Sequence, residues 1–239
     1  MTDQEKLDQI LLCKDNPEYF IQTFLPTKLY KQQQFLLDCY TTSSTFAITS
    51  RQVGTTYVNT AYLLWNLIFG DSVDGKRKYV AYVTFSSDNA IYIKNEVLRL
   101  YKLLPDFLMN LSSSGRNTLC TNNCHLSFYG FNQNTFRGNS FSEILIDNIA
   151  HIKENLLENI FSIPRSTKLI ISTSLSLNNY SVFSFIKNHG IDNTMNVQII
   201  PFESCSQYST EKKSMLINRL GQVLYDSEYS CIESGVTYA

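Results

Sequence analysis

Glycine and proline are scarce in this chain, nine and five in 239 residues, which excludes a collagen-like repeat and a Pro/Gly-rich disordered chain. No apolar run reaches the roughly 20 residues of a membrane-spanning helix. An excess of charge is missing too: 20 Lys and Arg against 21 Asp and Glu leave a net charge of −1. That balance argues against a basic surface over the whole molecule, so any contact with nucleic acid has to be local. The chain starts acidic and charged, MTDQEKLDQILLCKD, and a secretory leader is not expected. Its six cysteines are scattered, and without an export signal they read as reduced thiols. Cys120, Cys124 and His125 lie close in sequence, yet no second ligand pair has zinc-site spacing, so no zinc is expected.

What is present is concentrated in residues 45–69, TFAITSRQVGTTYVNTAYLLWNLIF. A β-rich run ends at Thr49. Ser50, Arg51, Gln52, Val53, Gly54, Thr55 and Thr56 follow, and then apolar residues at Val58, Ala61, Tyr62, Trp65 and Ile68 mark one face of a helix. Strand, glycine-containing loop and helix form the setting of a phosphate-binding loop, in which amides at the helix start and the helix dipole point at an anion. Against G-x-x-x-x-G-K-[ST] the match is damaged. Thr49 stands at the first glycine, Gly54 is kept, Thr55 replaces the lysine, and Thr56 fits the hydroxyl that would hold Mg²⁺. A plain strand-to-helix turn gives the same string.

Around this unit the chain alternates. Residues 4–13 have the pattern of a short amphipathic helix with Leu7, Ile10 and Leu11 on one side. Asn16 and Pro17 are a cap and first position for the next helix, which Pro26 closes. Residues 31–40 form a third helix, whose glutamines are either a solvated face or, at Gln33, a carboxamide able to read an adenine edge. Strands are expected at 79–85, 118–121, 126–131, 144–147, 168–173 and 197–202, with a hairpin turn at Asn122-Asn123. Helices are expected at 88–104, 152–161 and 180–188. Strands alternating with helices imply an α/β fold, a mostly parallel sheet with helices on both faces.

In such sheets ligands bind at the carboxyl ends of the strands. One strand ends in the Gly54 loop, one in Asp147-Asn148, and one in Ser172-Thr173-Ser174. An apolar triplet followed by Asp has the form of a Walker B strand, whose aspartate organises Mg²⁺ against the loop threonine. The next residue is Asn148, and an amide cannot take a proton, so a general-base contribution of roughly 10²–10⁴ in rate is missing there. His151, three residues on, reads as a packing residue and not a substitute base. His125 and His189 suggest no partners, and no Ser-His-Asp or Cys-His arrangement can be defended from spacing.

At this point the chain resembles a family. Ser50-Arg51-Gln52-Val53-Gly54-x-Thr56 is similar to the Walker A segment of the large terminase subunit of tailed bacteriophages, the DNA-packaging motor. The similarity extends through Asn16-Pro17-x-Tyr19-Phe20, Gln33, Leu103 to Leu108, Arg137-Gly138-Asn139-Ser140-Phe141 before Ile144 to Asp147, and Thr167 to Ser174 as a coupling segment. It spans nearly the whole chain in order. The resemblance implies a P-loop NTPase-like core of the ASCE type. Residues 1–44 would form its N-terminal helical segment and 45–239 the core with a C-terminal helical portion, with no nuclease domain.

The nucleotide-binding set that the resemblance implies is Gln33 and Ser50 to Thr56. Thr56 and Asp147 would hold Mg²⁺, Ser172, Thr173 and Ser174 would couple, and Arg51 is a candidate cis arginine. Both departures, Thr55 for lysine and Asn148 for glutamate, fall on residues the family needs most. The expectation is therefore a hydrolysis-deficient relative with Mg-ATP bound weakly or lost. It would act as a regulatory or structural partner of the portal, an intact terminase or double-stranded DNA, in the cytoplasm of the infected host. Arg51 is long and planar, so it is no direct substitute for an ammonium. Two alternatives remain: an active packaging-motor ATPase with an atypical site, and a nucleotide- or nucleic-acid-binding module.

Overall fold

The computed structural model describes residues 2–70, 77–132, 135, 140–152, 154–157, 160, 163–164, 166–175 and 195–232. Three helices come first, α1 (Asp3–Asp15), α2 (Pro17–Phe24) and α3 (Lys31–Thr42). The expected cap is there: Asn16 Oδ1 accepts from Tyr19 N–H with Pro17 at the first helical position. Then follow β1 (Thr45–Thr49), α4 (Thr55–Phe69), β2 (Lys78–Thr84), α5 (Ser87–Tyr101), β3 (Ser113–Ser114), β4 (Thr118–Cys120), β5 (Cys124–Gly130) and β6 (Glu143–Asp147). The chain continues through α6 (Glu154–Leu157), β7 (Lys168–Thr173), β8 (Asn196–Ile200), α7 (Thr210–Leu220) and α8 (Gln222–Glu228).

One sheet holds all eight strands in the order β3-β4-β5-β2-β6-β7-β1-β8. The six from β5 to β8 in that order pair in parallel, while β3, β4 and β5 form an antiparallel edge. The mostly parallel sheet is thus the one the strand–helix alternation implies. Strand periodicity sorts side chains to its two faces. Ala47, Tyr82, Leu145 and Ile170 belong to one apolar layer with residues of α1 to α5 and of α7 and α8. Phe46, Val83, Ile146 and Ile171 belong to the other, with Ile149, Ile152, Leu157, Ile160 and Ile163. Helix α4 lies within the first layer, with Val58, Ala61, Leu63, Leu64 and Leu67 fully buried. Trp65 Nε1 donates to the Cys13 carbonyl at 2.8 Å and ties α4 to α1.

Four expectations are corrected. In α1 the fully buried residue is Cys13, and of the expected face Ile10 packs against the core while Leu7 and Leu11 are 49% and 52% exposed, because the helix rests on α4 through its Cys13 side. Helix α5 stops at Tyr101 and not at 104. Leu103 and Leu104 bond three residues back instead of four, since the residue before Pro105 is pushed out of the helical region. Strand β8 ends at Ile200, because Pro201 has no N–H for the ladder and Phe202 begins a 3₁₀ turn. Of residues 152–161 only Glu154–Leu157 is described as α-helix, after a 3₁₀ turn at Ile149–His151. The expected helix at 180–188, His189, and Arg137, Gly138 and Asn139 lie outside the described residues.

Candidate functional site

The loop after β1 is anchored from both sides. Ser50 N–H donates to the Ile200 carbonyl at 2.8 Å and Arg51 N–H to the Glu228 carbonyl at 2.9 Å. Gln52 and Gly54 then take left-handed backbone, φ 65° and 83°, a conformation that costs glycine nothing. Side-chain amides hold the next carbonyls: Gln33 Nε2 donates to Val53 O at 2.9 Å and Gln207 Nε2 to Gln52 O at 3.3 Å. The remaining N–H groups of the turn are free. Among the described residues, the amides of Gln52, Val53, Gly54, Thr55 and Thr56 have no protein acceptor. Successive free amides at the start of a fifteen-residue helix make an anion-binding concavity.

A cleft of about 230 Å³ opens over this loop. It is lined by Thr49 to Thr56, Asp147, Asn148, Thr173 and Ser174. Three strand ends far apart in sequence therefore meet, as the topological rule requires. Two residues of the expected set do not reach it. Gln33 is 6% exposed and stands behind the loop, its Oε1 accepting from Tyr30 N–H at 2.9 Å. Ser172 is buried beneath Asp147.

The two substituted loop positions contact each other. Thr49 Oγ1 and Thr55 Oγ1 are 3.0 Å apart, and Thr49 also donates to the Thr173 carbonyl at 3.4 Å. With its own hydrogen engaged there, Thr49 accepts from Thr55. Thr56 has no hydroxyl partner and is exposed. Arg51, the single cation among the described lining residues, is bound to Glu228 at 3.0 Å (Nη2 to Oε1). Asn148 has left-handed backbone, φ 57°, which Asn tolerates better than most residues, and its N–H donates to Ser172 O at 2.8 Å. Thr173 Oγ1 accepts from Ala150 N–H at 3.1 Å.

Asp147 is 4% exposed and heads a buried polar chain. Its Oδ2 accepts from Tyr82 OH at 2.8 Å and its Oδ1 from Ser172 Oγ at 2.9 Å. Asn59 Nδ2 donates to Ser172 Oγ at 3.1 Å, and Tyr40 OH donates to Asn59 Oδ1 at 3.0 Å. Burial pushes the Asp147 carboxyl above its usual range, and the hydrogen bonds from Tyr82 and Ser172 pull against that shift. Each oxygen keeps a lone pair, so Asp147 and the unpartnered Thr56 hydroxyl fit a Mg²⁺ held through water. The free amides fit the phosphates of a nucleotide, while no lysine is among the described residues of the lining.

Sequence reasoning missed Tyr82, Asn59 and Tyr40, which lie in ordinary strand and helix positions, and Gln207 and Glu228, which reach the loop from over 150 residues away. His151 packs against Phe85 with ring centroids 5.5 Å apart, and burial and the nearby Arg51 lower its basicity. Cys120 Sγ lies 3.4 Å from His125 Nδ1. Among the described residues no three metal-ligating side chains converge.

The raised Asp147 pKa yields a prediction. A carboxyl whose folded pKa lies above its unfolded value binds the proton more tightly when folded, so the charge costs stability as pH rises past the unfolded value. Asp147→Asn is therefore expected to be more stable than the unmodified chain at pH 7. The gain should disappear as pH falls below about 3.9. Paired urea melts at pH 7 and pH 4 check this; equal gains at both would mean that charge is not the cause.

Comparison with known proteins adds a family. The model described as "Terminase large subunit, T4likevirus-type, N-terminal" matches residues 46–218. The fold is similar to the large terminase of bacteriophage HK97, with a TM-score of 0.64 at 14% identity, over 94% of this chain and 49% of that one. It is also similar to a mutant ATPase domain from the large terminase of Thermus phage P74-26, with a TM-score of 0.62 at 13% identity, over 88% and 96%. A thermophilic bacteriophage large terminase in complex with ADP matches with a TM-score of 0.62 at 11% identity, over 84% and 52%. The chain thus spans about half the length of the longer terminases it matches. A search of curated proteins gives no match.

Proposed function

Because this chain belongs to the T4likevirus-type family of terminase large subunits, matching that family's N-terminal region over residues 46–218, we propose that it serves phage DNA packaging as an ATPase-fold protein that holds phosphate without hydrolysing it. The supporting observation is a retained cradle with two neutral positions in it. The amides of Gln52 to Thr56 stay free, whereas Thr55 hydrogen-bonds Thr49 where the lysine would reach for phosphate, and Asn148 lies beside Asp147 where a carboxylate would orient water. Backbone amides survive any change of side chain, so binding and catalysis separate.

In this reading Mg-ATP binds weakly through Ser50 to Thr56, with Thr56 and Asp147 holding the metal. Thr173 and Ser174 pass on its presence, with Ser172 beneath Asp147. The protein then acts as a regulatory or structural partner of the portal, an intact terminase or double-stranded DNA, in the cytoplasm of an infected host. The competing reading is an active motor that uses Arg51 for charge. It requires Arg51 to leave a carboxylate 3.0 Å away that is itself only 10% exposed, a costly separation.

The test pairs binding with turnover. Mg-ATPγS is expected to bind in titration calorimetry, while steady-state phosphate release from ATP stays at the level of an Asp147→Ala control. Robust release abolished by Asp147→Ala would sink the proposal.

A further inference from the structure

The resemblance implies that Gln33 reads an adenine edge, yet each end of its carboxamide makes a bond within the protein. Oε1 accepts from Tyr30 N–H at 2.9 Å, and Nε2 donates to the Val53 carbonyl at 2.9 Å. The side chain is 6% exposed and lies so close to Gly54 that a Cβ there would collide with its amide nitrogen. One N–H and one lone pair of the carboxamide remain, but the side chain is buried and is not among the residues that line the cleft, so they do not face a ligand held there.

Among the described residues the cleft offers a base only the carboxamides of Gln52 and Asn148. Among the described residues its lining carries no aromatic ring on which a purine would stack. The one planar cation among its described residues, Arg51, is held by Glu228. At about 230 Å³ it is also smaller than the roughly 300–1,000 Å³ of a site that envelops a whole drug-sized ligand. What it does offer is backbone amides in series, and these bind the oxygens of an anion, as in a phosphate chain, and not a base.

We infer that the cleft selects a phosphate chain and is indifferent to the base attached to it, and that Gln33 is a positioning residue whose amide sets the Val53–Gly54 turn so that the free N–H groups converge. The inference rests on the reading that the cradle still binds phosphate. It narrows the ligand class to short polyphosphates, bare or carried by any nucleoside.

Titration calorimetry of the full chain with Mg²⁺ at low salt, using ATP, GTP, CTP and inorganic tripolyphosphate, tests both parts. The four dissociation constants are expected to agree within about threefold. ATP binding tenfold or more tighter than GTP would overturn base indifference and leave the phosphate cradle standing. Absence of binding by all four would overturn the cradle and this inference together. Gln33→Ala, shown folded by its thermal melt, is expected to weaken all four ligands by a common factor of about ten. Gln33→Glu keeps the acceptor for Tyr30 and loses the donor to Val53, and should do the same. Loss confined to ATP, or no loss, would refute the positioning role, and the unmodified chain tests base indifference without any variant.

Discussion

Lysine at position 55 together with glutamate at position 148 is expected to give this chain Mg²⁺-dependent ATP hydrolysis at least about 100-fold above its unmodified level. The expectation follows from what the cleft retains. Thr56 and Asp147 already share its lining with five free amides, so metal and phosphate contacts need no rebuilding. Thr55 is the first residue of α4 and only half-buried, and a longer side chain there has an exit over the loop. Removing its hydroxyl does not orphan Thr49, which still donates to the Thr173 carbonyl. Glutamate at position 148 carries a cost of about 1 to 2 kcal/mol, because the backbone there is left-handed. Each single variant should stay near background, since a phosphate clamp without a base, or the reverse, leaves the barrier largely in place. Phosphate release measured for both single variants and the double checks the expectation. A folded double variant that binds Mg-ATP and remains at background would mean that catalysis was lost at further positions. Arg51, held by Glu228, would be the next to examine.

The sequence carried this site unevenly, for physical reasons. Elements defined by local rules were legible: the Asn16 cap, the hairpin at Asn122-Asn123, and the apolar strands ending in Thr49, Asp147 and Thr173. Their convergence was legible as well, because parallel strands must present their carboxyl ends together. Side-chain destinations were less so. Leu7 and Leu11 have helical spacing, yet that spacing says only that they share a face, and Cys13 is what α4 meets. Gln33 has one identity and two uses. Its carboxamide has the donor and acceptor of a base reader, the role the resemblance implies, and only the positions of Tyr30 N and Val53 O show the bonds it makes within the protein. Gln207 and Glu228 bear no motif, since Gln207 gives one hydrogen bond and Glu228 one carbonyl and one ion pair to a loop more than 150 residues upstream. The first-glycine position held a hint in retrospect. Thr49 and Thr55 are the two departures from the loop pattern that contact each other, a coupling that no one-dimensional pattern displays.

At the opposite ends of the strands a second polar group carries stability instead of chemistry, and Lys78→Met is expected to remove about 3–5 kcal/mol. Lys78 Nζ donates to Glu143 Oε2 at 2.9 Å and to Asn66 Oδ1 at 2.6 Å. The Glu143 side chain is only 2% exposed, and its other oxygen has a long bond of 3.5 Å from Asn66. Lys168 is close by but engaged with Thr41 O and Tyr62 OH, both at 3.2 Å, so it is not placed to replace Lys78. Taking away the ammonium leaves a carboxylate desolvated beneath α4, and that penalty sets the size of the loss. The pair itself is worth much less, because its Coulomb gain mostly repays its own desolvation. Lys78→Met with Glu143→Leu should therefore recover most of what the single change costs, short only of the Asn66 bond. For a chain of this size the single variant should melt about 10 °C lower, with the double variant in between and closer to the unmodified protein. A single variant within about 1 kcal/mol of the unmodified chain would show that water or Lys168 reaches Glu143, and a double variant no better than the single would show that the pair, and not the stranded charge, holds the strands.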